Sequence, residues 1–189
     1  MRIGRLLVVL AMVLTGLVAW GRGVASASTV PTCSSSDLTV HAGFSGAAAG
    51  NGGTPIVIVN HGPSACSLNG FPNVVAHIEA SSPRPVIFVD RPRSLIYRAV
   101  HPRVVVLAIK GTASFGISYV DGLDQQFGYG ARCEMNEVTV RLSQVPTAHT
   151  FVVSLLKNGH DGFGPINSCF AGFILGLTPI VKGSLPPEY

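Results

Sequence analysis

Along most of this chain the apolar positions recur with a period of two. Thr112 to Tyr119 alternates without a break, with Ala113, Phe115, Ile117 and Tyr119 on one face and Thr112, Ser114, Gly116 and Ser118 on the other. That period is the signature of a half-buried strand. Glu137 to Leu142 repeats it, directing Val138, Val140 and Leu142 inward and Glu137, Thr139 and Arg141 toward water. Shorter β-branched runs predict strands at Leu38 to Phe44, Pro55 to Val59, Val74 to Ile78, Val86 to Val89, Val104 to Ile109 and Phe151 to Leu156, with a last one in Cys169 to Val181. Gly52-Gly53, Lys110-Gly111, Asp121-Gly122, Asn158-Gly159 and Asp161-Gly162 read as turns between them. About eight or nine short strands spaced by Gly and Pro turns, with almost no helix signal, predict an all-β antiparallel β-sandwich. A barrel is the alternative that the pattern leaves open.

The N-terminus departs from this pattern. Arg2 and Arg5 precede an uncharged run from Leu6 to Trp20, and Ala25-Ser26-Ala27 offers a small-x-small cleavage site. Residues 1–27 therefore read as a secretory signal peptide, and residues 28–189 as one domain with its core within 33–180. An uncleaved anchor is the rival, but fifteen apolar residues fall short of the roughly 20 that span a bilayer. Membrane contact is expected only through this segment, if it is retained. Cys33 lies too far downstream of the apolar run for a lipoprotein, and Arg2 and Arg5 are not adjacent, so the general secretory route is expected.

Removing the leader changes the electrostatics. Arg2, Arg5 and Arg22 leave with it and no acid does, so 13 Lys and Arg against 9 Asp and Glu become 10 against 9. A balance near neutrality gives no support to nucleic-acid binding. The local distribution is uneven, because Arg84, Arg91, Arg93, Arg98 and Arg103 stand with His101 against Asp90 alone. If several of these face one way they form a binding patch for an anionic envelope polymer or an acidic envelope protein. Pro83, Pro85, Pro92 and Pro102 favour instead their dispersal over solvated loops.

Four cysteines, Cys33, Cys66, Cys133 and Cys169, all follow the leader. An even count in an exported chain argues for two disulfides, and the long spacings argue against a zinc site. Of three possible connectivities, Cys33 with Cys66 and Cys133 with Cys169 is preferred, since each pair joins the start of one strand system to a turn of its own half. Cys66 sits in the dense turn Asn60-His61-Gly62-Pro63-Ser64-Ala65-Cys66-Ser67-Leu68-Asn69-Gly70-Phe71-Pro72. There Asn60 can hydrogen-bond nearby backbone and tolerate left-handed geometry, Gly62-Pro63 turns the chain, Gly70 suits positive φ, and Leu68 and Phe71 can plug one end of the fold.

Cys33 and Asp37-Leu38, Ala47-Ala48-Ala49-Gly50, the Asn60 to Pro72 turn, Lys110-Gly111-Thr112-Ala113 and the later Cys133 together resemble domain of unknown function 4232. The likeness runs from Cys33 to about Pro179, with little signal between Asp121 and Arg132. It implies an immunoglobulin-like sandwich in an exported protein of the actinobacterial cell envelope. It carries over no catalytic residue.

Candidate chemistry is sparse. Gly43-Phe44-Ser45-Gly46-Ala47 approximates a nucleophile elbow, but no helix signal follows it. Asp121 with Asp124 and Glu134 with Glu137 are the only close acidic pairs considered for hydrolysis or cation binding, and both lack the ligand density of a calcium loop. The six histidines never fall at metal-ligand spacing, and no phosphate loop is present. The expectation is a non-enzymatic exported module, structural or binding, without a cofactor. An envelope hydrolase is one alternative. A small apolar ligand carrier using Phe163, Phe170 and Phe173 is another.

Overall fold

The computed structural model describes residues 29–48, 50–79, 87–91, 96–120, 134–145, 149–155, 166–167 and 174–185. The described part is all-β, and its one helical element is a 3-10 turn at Ser35–Asp37. The second proposed cystine (Cys133, Cys169), the leader, the Asp121 to Arg132 loop and the three carrier phenylalanines lie outside the described residues.

The largest sheet is built around β3 (Asn51–Asn60) and β8 (Thr112–Val120), antiparallel over nine residue pairs from Asn51↔Val120 to Val59↔Thr112. On the far side of β3, β1 (Leu38–Ala42) and β2 (Gly46–Ala48) lie in line. Against the far side of β8 run β12 (Ile174–Leu177) and β13 (Val181–Lys182), and β6 (Ile87–Asp90) joins β12 in parallel. A second sheet has β9 (Glu134–Arg141) at its centre, with β5 (Asn73–Glu79) on one edge and β10 (Phe151–Ser154) and β11 (Ile166–Asn167) along the other. A third, small sheet pairs β4 (Cys66–Leu68) with β7 (Val105–Leu107).

One hydrophobic cluster serves all three. Ile56, Ile58, Ala113, Phe115, Ile117, Leu175 and Leu177 from the large sheet meet Val74, Met135, Val138, Val140 and Val153 from the second, and Leu68, Val105 and Leu107 close one end. The alternations of β8 and β9 thus direct the predicted residues inward. On β9 the other face is polar as expected, Thr139 carrying a hydrogen bond to His77 Nε2.

The second face of β8 is covered in its middle, although Thr112 at its start is exposed. Ser114 and Gly116 are buried there, and the Tyr97 ring approaches Gly116 so closely that a Cβ on that glycine would come within 2.3 Å of it. Ile96 and Tyr97 cover Gly53 in the same way, while Gly52 faces the Tyr119 ring on the opposite side. Gly52-Gly53 is therefore no turn but the first part of β3, where glycine lets aromatic rings reach the backbone from both faces. Pro55 survives inside this central strand for a local reason. Gly116 donates its N–H to the Thr178 hydroxyl and accepts from Thr178 N–H, so Pro55, its partner across the ladder, points its ring nitrogen the other way, toward the break between β1 and β2, where its carbonyl accepts from Gly43 N–H. A proline there forfeits no ladder bond.

Gly43 to Ser45 forms that break, a strand-to-strand step and not the strand-to-helix turn of a nucleophile elbow. The Ser45 hydroxyl is buried and lies 2.9 Å from the Thr54 hydroxyl, which fixes the step to β3.

Candidate functional site

The densest polar construction is the corner where β3 ends. Cys33 and Cys66 are joined by a disulfide, and both are buried. The segment before β1 runs parallel to β4, with Cys33 N–H donating to Ser67 O and Ser67 N–H to Pro31 O. The staple therefore ties the start of the domain to the turn that follows β3, as the spacing of the first two cysteines suggests.

Asn60, wholly buried, organises the corner. Its side-chain carbonyl accepts from Gly62 N–H at 2.9 Å, and its amide donates to Ser64 O, Ala108 O and Leu107 O at 2.9, 3.1 and 3.3 Å. Its backbone receives Lys110 N–H and donates to Gly111 O. A buried amide with every polar atom occupied is rigid, and such satisfaction removes the desolvation cost that would otherwise oppose burial. The expected bond to local backbone is present, but Asn60 is not left-handed. Lys110 takes that geometry, with φ 59°. Gly70 has the expected positive φ, Leu68 is buried, and Phe71 packs on the core. Gly62 is needed because Asp37 crowds it, the carboxyl carbon standing 2.9 Å from where a Cβ would be.

Around this corner the reactive side chains serve geometry. The Thr39 hydroxyl lies 2.9 Å from His61 Nε2 in an exposed setting, bridging β1 to the turn after β3. No three His, Cys, Asp or Glu among the described residues are grouped to hold a metal ion. Two corner features have no local sequence signal: the bonds from Asn60 to residues 107 and 108, and the short strand β4. A lone polar residue closing an apolar strand is the faint cue for the first.

Of the six residues of the basic stretch, Arg91, Arg98, His101 and Arg103 are described and exposed, while Arg84 and Arg93 lie outside the described residues. Arg91 N–H is bound to Leu177 O, and the side-chain stem rests over Gly176 at the β12 edge. Ile96 and Tyr97 lie over Gly53 and Gly116, and His101 and Arg103 stand just ahead of β7. Arginine stems can cover apolar surface while their heads stay in water, and Arg91 does so on Gly176.

Residues 33–165 match the family described as "Domain of unknown function (DUF4232)". The chain belongs to that family. No curated protein and no solved structure matches it. The DUF4232 match begins on the first disulfide cysteine and contains the whole Asn60 corner. It ends short of the Pro179 to which the sequence motifs carry the resemblance, so β12 and β13, which pair with β8, follow the DUF4232 segment.

Proposed function

We propose that this DUF4232 chain is an exported, non-enzymatic module of the cell envelope, an immunoglobulin-like sandwich that holds surface loops and edges rigidly for a partner. The observation that carries this reading is the Cys33–Cys66 cystine built into the Asn60 corner. Structural disulfides persist in oxidising compartments, and a small domain stapled in this way withstands extracellular conditions. The leader at residues 1–27, cleaved before Ser28, and a second bridge between Cys133 and Cys169 belong to the same proposal.

The polar chemistry also favours scaffold over catalysis. Ser45 is engaged with Thr54, and Asn60 is spent on backbone. The partner class is an envelope protein or an anionic polymer, met through Arg91, Arg93, Arg98 and their neighbours. Retention of the exported protein on isolated envelope tests it. Retention that falls when Arg91, Arg93 and Arg98 become Ser supports the polymer; unchanged retention removes that patch from the reading, and no retention of the parent protein removes the binding role altogether.

The hydrolase alternative has one observation in its favour, the Thr39–His61 pair at hydrogen-bond distance. A threonine nucleophile would need that imidazole as base together with donors aimed at an oxyanion. Ester or amide turnover by the purified protein that disappears in His61→Gln would establish it over the module reading.

A further inference from the structure

β7 pairs with β4 along one edge, and the parity of its backbone groups can be read from the neighbouring strand. Ser67 spends its N–H and C=O on Pro31 and Cys33, so the pair Ser67↔Val106 exchanges no bonds across β4 and β7. The pairs on either side, Cys66↔Leu107 and Leu68↔Val105, carry the ladder. Val106 N–H and C=O consequently point away from β4, and by the same alternation so do those of Val104. Among the described residues none hydrogen-bonds to them.

The side chains at this edge are unusual for a surface. Val104 is 61% exposed, Ile109 55% and Val106 41%. Natural sheets protect open edges with charge, proline or bulges, and an edge flanked by exposed valines is a template for another strand. Cations stand at both ends of the strand, Arg103 before it and Lys110 after it, both exposed.

We propose that the open edge of β7 is a docking site for an extended segment of a partner protein in which apolar and acidic residues alternate, added to the small sheet as a further strand. Main-chain bonds to Val104 and Val106 supply affinity, the valines take the apolar side chains, and Arg103 and Lys110 select acidic ones. A second copy of this chain is the poorer occupant, because edge-to-edge pairing would bring Arg103 and Lys110 of both copies together. The proposal rests on the binding-module reading and names its surface.

The test uses the disulfide-bonded exported protein and two blocked heptapeptides, one alternating Val with Glu and the other Val with Lys. The Val106 amide is expected to exchange rapidly in the free protein and to slow about tenfold with the Glu peptide, which binds with a Kd on the order of 100 µM. The Lys peptide is expected to bind at least about tenfold more weakly. Val106→Pro is expected to abolish binding without lowering the melting temperature, since the N–H it removes has no partner among the described residues; Arg103→Glu, which leaves the strand intact, is expected to reverse the peptide preference. A protected Val106 amide in the free protein, equal binding of the two peptides, or protection that rises with protein concentration alone overturns the proposal. Envelope retention that persists in Val106→Pro overturns this edge as the docking site while leaving the binding-module reading in place.

Discussion

Asn60 shows how one amide can hold together two loops that are far apart in sequence. Its donors reach the carbonyls of Leu107 and Ala108, and Lys110 N–H returns to its own carbonyl, so the left-handed turn at Lys110 is clamped from both sides. Asn60→Ala would leave these buried groups without partners, and a loss of about 3 kcal/mol or more is expected in urea denaturation. Asn60→Asp keeps the acceptor for Gly62 but turns an oxygen toward three carbonyls. Its carboxyl would be held protonated in the folded state, so its folded pKa lies above the unfolded value. The variant should therefore be least impaired in acid and lose stability progressively as pH rises above about 4. Lys110→Gly relieves a left-handed non-glycine residue and should raise stability by up to about 1 kcal/mol, against the usual cost of an added glycine. Sequence alone made Asn60 a turn residue, because its bond to Gly62 is local. Its long-range bonds have no periodic trace, and only the folded chain brings residues 60 and 107 together.

At the scale of the element, β3 and β8 divide what was legible from what was not. Strict alternation in β8 identified the core residues, since a period of two maps directly onto one face of a pleated strand. The opposite face reads as solvated, but Gly116 there is covered by Tyr97, which arrives from a segment whose apolar content is too short to register as an element. Glycine in a strand has two meanings, a turn or a close approach, and Gly52-Gly53 has the second. Gly116→Ala should accordingly displace the Tyr97 ring and cost about 1–3 kcal/mol. The cost should shrink when Tyr97 is also replaced by Ala, and that non-additivity in a double-mutant cycle is the sign of direct contact. The basic stretch was visible as composition, yet the seat of Arg91 on Gly176 depends on the pairing of β6 with β12.

For the whole molecule, the Cys33–Cys66 link closes a loop with a sequence separation of 33 residues. In the chain-entropy model a loop of that length is worth about 3–4 kcal/mol, so reduction should lower the urea midpoint markedly while leaving the β-rich circular dichroism at low denaturant. The all-β class and the first bridge followed from periodicity and cysteine count, quantities that survive without coordinates. The division into three sheets, and the parallel entry of β6 beside β12, did not, because strand order is set by long-range pairing.

That order has a consequence for the timing of folding. β8 is complete when Val120 has been made, but its second edge waits for β12 and β13 at residues 174–182, well after it in the chain. Until then a nascent or truncated chain carries an unfilled lane through the middle of its largest sheet, into which any passing strand can fit. Holding the chain unfolded until β12 and β13 have emerged removes that interval, and a polypeptide cut at residue 173 should aggregate although it contains every residue of the family match.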